Sequence, residues 1–371
     1  MRTPFLLKPS GKDYLWGGRR LKDDFGKECE CSPLAETWEC STHPEGDCIV
    51  ASGEYQGESL RSVLENHPDF ISETFGLDHY FSNSNVLDNF ASDHYCSRSS
   101  DFDNFGLASD KKNQREPLEY KHVDVFPLLI KLIDANQDLS VQVHPDDDYA
   151  RMYENGARGK TELWYVLDAK KDATIYYGFL KDTSRNEVEA ALAEGTIENL
   201  LQSVPVKKGD IFFVEPGTIH AIGAGVLIAE VQTNSNLTYR LYDYERSDGN
   251  GKKRELHIRQ GLDVLNYQSS RAPRQPMRVL HYKPGCAIEQ LFRSPHFVAE
   301  RMLLNTKRRS NLPSFQTDKH SFQVLLCVDG CGSLICRDIH IEIFKGDCIF
   351  IPANSVRYQL HGRMELLKVK C

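Results

Sequence analysis

Asp138-Leu139-Ser140-Val141-Gln142-Val143-His144-Pro145 alternates in polarity residue by residue. A period of two predicts a strand with Ser140, Gln142 and His144 on one face and Leu139, Val141 and Val143 on the other. Serine or threonine is the commoner choice for a solvent-facing strand position, so an amide beside an imidazole stands out. Pro145 ends the strand because it has no N–H for the ladder. Further along, Gly209-Asp210-Ile211-Phe212-Phe213-Val214-Glu215-Pro216-Gly217-Thr218-Ile219-His220 reads as a turn, an apolar strand, a second turn and another imidazole. Between the two stretches lies Gly159-Lys160-Thr161-Glu162. His144, Glu162 and His220 together offer two imidazoles and a carboxylate, which suit zinc or iron with one position left open.

Short strand-like runs punctuated by glycine and proline continue outward on both sides. Residues 34 to 54 carry two of them, and Leu163 to Leu167, Ala173 to Tyr177, Ala224 to Val231 and Asn236 to Tyr244 carry more. Helical spacing predicts helices over Gly57 to Asn66, Asn186 to Ser203 and Leu256 to Val264, and an acid-capped helix starting at Asp146. The tally is mainly β with added helices. The run Phe344-Lys345-Gly346-Asp347-Cys348-Ile349-Phe350-Ile351-Pro352-Ala353-Asn354 echoes Lys208 to Gly217, an internal repeat with Arg357 where the first copy has His220 and no Gln-x-His strand nearby. Residues 77 to 121 are polar and turn-rich, with scattered aromatics, and are expected to form a surface insertion.

The chain has 371 residues, 40% of them apolar and 26% charged, which is ordinary for a globular protein of two or three domains. A net charge of −8 argues against a nucleic-acid partner. No apolar run approaches the ~20 residues needed to span a membrane, and the N-terminus lacks the apolar core of a secretory signal. Eleven scattered cysteines, with no zinc spacing at Cys29-Glu30-Cys31, are expected to be reduced thiols of a cytoplasmic protein. Lys131 interrupts the apolar run Phe126 to Ile133, a costly place for an ammonium unless it reaches an anion or water. Arg240, in Thr238-Tyr239-Arg240-Leu241-Tyr242-Asp243, has Asp243 and Asp263 as ordinary partners to choose from.

Taken together, these stretches resemble the type I mannose-6-phosphate isomerases of the short bacterial form. The family's Gln-x-His-Pro strand is matched by Gln142 to Pro145, and its Lys-x-Glu strand by Lys160 to Glu162. Its Pro-x-Gly-x-x-His-Ala turn is matched by Pro216 to Ala221, with proline and glycine directly joined here. Its Thr-Tyr-Arg-x-x-Asp segment is matched by Thr238 to Asp243. The resemblance extends from Trp16-Gly17-Gly18 to about Leu265, with a weaker tail beyond. It implies two cupin (jelly-roll) barrels. Residues 1–265 would form the metal-binding catalytic domain, and residues 266–371 a degenerate cupin that has lost its metal.

The activity it implies is interconversion of mannose 6-phosphate and fructose 6-phosphate through an enediol. One Zn²⁺ per chain would be held by Gln142, His144, Glu162 and His220, while Arg240 and Lys160 act on the sugar and Lys131 and Ser140 hold its phosphate. The expected partner is a small sugar phosphate, with neither nucleic acid nor membrane, and the expected state is a monomer. The sequence does not assign the catalytic base. Two other readings use the same ligands, an Fe(II) cupin oxygenase and a non-catalytic sugar-phosphate sensor. The cations Lys131, Lys160 and Arg240 have no place in the first, and the intact ligand set argues against the second.

Overall fold

The alternating segments pair into three sheets. A computed structural model describes residues 2–73, 126–247, 251–270 and 280–371. The segment 77 to 121 lies outside the described residues, as do residues 271–279.

One six-stranded sheet runs in the order Ile211–Val214, Glu162–Ala169, Val226–Thr233, Leu128–Asp134, Glu36–Cys40 and Ser10–Lys12. A five-stranded sheet runs Tyr239–Tyr242, Val141–Val143, His220–Ile222, Thr174–Phe179 and Leu201–Pro205. All neighbours in both are antiparallel. Ile133, Trp164, Val166, Phe212 and Ile228 of the first sheet pack with Ile175, Tyr177 and Ile222 of the second. The two sheets therefore face each other and enclose a core between them.

The opposite face of the six-stranded sheet is also apolar. Leu128, Ile130, Leu132, Leu163, Tyr165 and Val231 pack there against Phe5, Val324, Phe350 and Leu367 of a ten-stranded sheet. Eight strands of that third sheet come from Leu280 onward and two, Phe5–Lys8 and Ile49–Val50, from near the start of the chain, and its long strands Gln323–Cys336 and Tyr358–Lys370 carry a core of their own around Leu334, Ile343 and Leu360. Phe5–Lys8, from the start of the chain, pairs with Cys348–Ile351 in it. The repeated segments occupy matching places: Ile211–Val214 and Cys348–Ile351 are both strands that follow a glycine turn.

A strand buried on both faces needs no alternation of polar and apolar residues, so Leu128–Asp134 is buried throughout, Lys131 included. Helices cover the outer face of the five-stranded sheet. Arg185–Ala193 opens with a capping box, the Ser184 side chain accepting from Glu187 N–H and Glu187 reaching back to Ser184 N–H. This helix is shorter than the expected span to Ser203. Gly195 breaks it with φ +69°, a short 3₁₀ turn follows at Ile197–Leu200, and Leu201–Pro205 is a strand. Among the described residues no helix is long and apolar enough to cross a membrane.

A buried ion pair ties the two halves together. Lys27 Nζ lies 2.6 Å from Glu39 Oε2 and donates to the Gly346 carbonyl at 2.5 Å, while Thr37 Oγ1 donates to Glu39 Oε1. Burial raises the Glu39 carboxyl above its ordinary range, and the Lys27 ammonium opposes that. Lys27→Met should cost about 3–5 kcal/mol, because it leaves Glu39 buried without its cation. Urea unfolding measures this. A loss under ~1 kcal/mol would mean that Glu39 takes up a proton instead.

Candidate metal centre and active site

Strand alternation decides which side chains enter the space between the two facing sheets. Val141, Val143, Ile219, Ala221, Tyr239 and Leu241 pack outward under the helices. Gln142, His144, His220 and Arg240 therefore turn inward. Gln142 stands directly opposite His220 on one side and Arg240 on the other. From the facing sheet, Glu162 shares its side of the strand with Trp164, and Lys131 shares its side with Ile133. The expected alternation fails only at the start: Leu139 packs inside with Trp164, and the strand itself begins at Val141.

His144, Glu162 and His220 converge. Their candidate donor atoms all lie within 4.8 Å of one another, and all three residues are buried. His144 Nδ1 is 2.9 Å from the Leu237 carbonyl and His220 Nδ1 is 2.9 Å from the Thr218 carbonyl. A carbonyl only accepts, so each Nδ1 carries the proton and each Nε2 presents a lone pair. His144 Nε2 sits 3.1 Å from Glu162 Oε1 and His220 Nε2 3.7 Å from Oε2. Neither imidazole Nε2 has a hydrogen-bond partner.

Protonation does not relieve this arrangement. Burial, reinforced by the Lys160 ammonium, pushes His144 down to about 3, and burial also lowers His220. Burial alone would raise Glu162, but the Lys160 ammonium, 2.6 Å from Oε1, holds it well below the carboxylate range. Two neutral lone pairs thus face a carboxylate, an acceptor set that a divalent cation satisfies. The donor chemistry fits such an ion, with Gln142 on the same inner face beside His220.

Two glycines make the convergence possible. Gly217, at φ +82°, turns the chain back so that its N–H donates to the His144 carbonyl at 2.9 Å, tying the two histidine segments together. Gly159 lies so close to the Asp146–Asp147 peptide that a Cβ would come within 2.3 Å of it, and Lys160 N–H then donates to Pro145 O at 3.0 Å. Lys160 is placed by this contact, just ahead of the Glu162 strand.

Three residues beyond the sequence reading belong to the site. Glu230 pairs across the sheet with both Lys131 and Trp164. Trp164 Nε1 donates to Glu230 Oε1 at 2.9 Å and Glu162 Oε2 at 3.1 Å, and Lys131 Nζ lies 3.1 Å from Glu230 Oε2 and 3.8 Å from Glu36 Oε2. The signal was present, since a carboxylate inside the apolar run Val226 to Val231 is as costly as the lysine facing it. Lys131 is therefore engaged by two acids, while Ser140 is buried just ahead of the Val141–Val143 strand of the other sheet.

Arg240 takes neither of the partners open to it in the sequence. Asp243 is occupied by Arg246 and Arg254, and Asp263 by Arg185. Arg240 instead donates through Nη1 to the Glu255 carbonyl at 2.9 Å, and its buried Nε has no partner. Burial first, and the neighbouring Arg254 guanidinium second, lower its proton affinity.

Known proteins resemble this chain along its whole length. Residues 91–160 match the type I phosphomannose isomerase catalytic domain, and residues 311–371 match the mannose-6-phosphate isomerase cupin domain. Mannose-6-phosphate isomerase ManA of Bacillus subtilis is 33% identical over 365 residues, which is 98% of each chain. A mannose-6-phosphate isomerase of Streptococcus mutans is 32% identical, over 99% of this chain and 98% of the relative. The crystal structure of a mannose 6-phosphate isomerase from Bacillus subtilis superposes with a TM-score of 0.80 at 29% identity, covering 99% of both chains. At this identity along the whole chain, with the mainly β cupin architecture in common, the protein belongs to the type I mannose-6-phosphate isomerase family.

Proposed function

We propose that this enzyme interconverts mannose 6-phosphate and fructose 6-phosphate through an enediol, with Zn²⁺ held by Gln142, His144, Glu162 and His220. The observation that carries the reading is the pair of neutral imidazole lone pairs facing Glu162, with Lys160 and Arg240 nearby. When bound, the ion supplies Lewis-acid polarisation of the sugar oxygens. Arg240 offers an unpaired guanidinium edge to negative charge that develops as a proton moves between C1 and C2. Lys160 holds Glu162 ionised and offers donors to the sugar hydroxyls. Strands of the facing sheets carry Glu162, His220 and Arg240, so little reorganisation of these groups is needed during reaction.

The competing oxygenase and sensor readings give way to the family's chemistry. The reading carries with it a monomer in the cytoplasm that acts on a small sugar phosphate. All ten described cysteines are free thiols. A coupled assay on mannose 6-phosphate tests the whole proposal. Turnover should disappear with a chelator and return with Zn²⁺. A zinc-loaded wild type without turnover would overturn it.

Lys131 and Ser140 are proposed as phosphate contacts in the same reading, and the ion pairs of Lys131 make this separately testable. If the ammonium meets the phosphate, Lys131→Met weakens mannose 6-phosphate binding far more than mannose binding. Equal losses for the two sugars would assign it instead to neutralising Glu230 and Glu36.

A further inference from the structure

The buried carboxylate of Asp243 is shared by two arginines. Arg254 approaches it at two points, Nε 2.8 Å from Oδ2 and Nη2 against Oδ1, the fit of a guanidinium fork on a carboxylate. Arg246 Nη2 donates to the same Oδ1 at 2.5 Å, and its Nη1 donates to the Asp138 carbonyl. The clasp fixes the start of the segment 254–257 against the Tyr239–Tyr242 strand. That segment meets the strand at Arg240. The Glu255 carbonyl accepts from Arg240 Nη1 at 2.9 Å. His257 N–H donates to the Arg240 carbonyl at 2.7 Å, and Arg240 N–H donates to His257 Nδ1 at 3.3 Å.

Arg240 is thus gripped at its backbone on both sides and at one guanidinium nitrogen, by residues one and three positions beyond Arg254. The same clasp occupies Asp243, the acid nearest to Arg240 in sequence, which would otherwise compete for its guanidinium. Its buried Nε is left without a partner.

We infer that Arg254 is a positioning residue for the isomerase reaction: clasped on Asp243, it holds Glu255 and His257 against Arg240, so that the Arg240 guanidinium meets the sugar phosphate in one orientation and free of carboxylate. This rests on the proposed isomerase reading. It differs from a merely structural salt bridge because its effect passes through Arg240. Half of the clasp is a two-point contact, which lysine cannot reproduce.

The test uses the full-length zinc-loaded enzyme and the variants Arg254→Gln, Arg254→Lys and Arg240→Lys, with the double variant Arg240→Lys/Arg254→Gln. Arg254→Gln should lower kcat roughly tenfold to a hundredfold with KM little changed, the effect of a misplaced catalytic group. Arg254→Lys should recover only part of that. The double variant should be no slower than Arg240→Lys alone, because residues that act as a unit are not additive. Losses that multiply in the double variant, or wild-type kcat in Arg254→Gln, would overturn the inference. If the glutamine variant does not fold, a folded Arg254→Lys with full kcat overturns it equally. An inactive wild type removes the isomerase reading and the inference together, whereas an active wild type indifferent to Arg254 removes only the inference.

Discussion

His144→Ala and His220→Ala should each lose the bound divalent ion, and turnover of mannose 6-phosphate should fall to background with it. The reason lies in how few donors the site has. Each imidazole presents one Nε2 lone pair, fixed in that tautomer by the Leu237 or Thr218 carbonyl at Nδ1. Removing one leaves Glu162, the other histidine and Gln142, of which only Glu162 carries charge. Lys160, at 2.6 Å, already competes for that charge. Disturbing a partner that merely orients a ligand typically costs 10–100-fold in metal affinity, so deleting the ligand itself should cost more. Elemental analysis of the purified variants measures the loss, and circular dichroism establishes that the sheets remain. Full occupancy in both variants would show that the ion binds elsewhere.

The parts legible in the sequence are those governed by neighbours along the chain. Alternation in Val141-Gln142-Val143-His144 places Gln142 and His144 on the inner face because Val141 and Val143 have an apolar layer to enter. Leu139 departs from it because the strand has not yet begun there, and the chain is free to turn that side chain inward. The helix expected to Ser203 failed for a related reason. Leu200 and Leu201 continue an apolar stripe at helical spacing, but Gly195 at φ +69° ends the helix, and Leu201 instead pairs with Phe179 at the edge of a sheet. Burial on both faces conceals function as well. Glu230 lies in a strand apolar on either side, and its role appears only when pairing sets it against Lys131 and Trp164. The Asp243–Arg254 clasp is of the same kind, because it depends on how the intervening turn folds back and no local period encodes it.

Arg240→Ala should lower kcat roughly a hundredfold to a thousandfold while changing KM little, the usual cost of losing one preorganised donor to developing charge. The ground-state sugar carries no charge at C1 or C2, whereas the enediolate does, so a fixed guanidinium stabilises the barrier more than the bound substrate. Its environment sharpens the effect. The Arg240 side chain is half-buried, its Nε has no partner, and Asp243 and Asp263 are both held by other arginines. No protein carboxylate therefore has to be displaced before the guanidinium can meet the substrate. Arg240→Lys keeps the positive charge but loses the planar fork and the Nη1 bond to the Glu255 carbonyl, so it should recover only a small part of the rate. The measurement is kcat and KM for both variants at equal zinc content, with melting curves to exclude unfolding. A raised KM with kcat unchanged would place Arg240 in ground-state binding, and full rescue by lysine would reduce its part to charge alone.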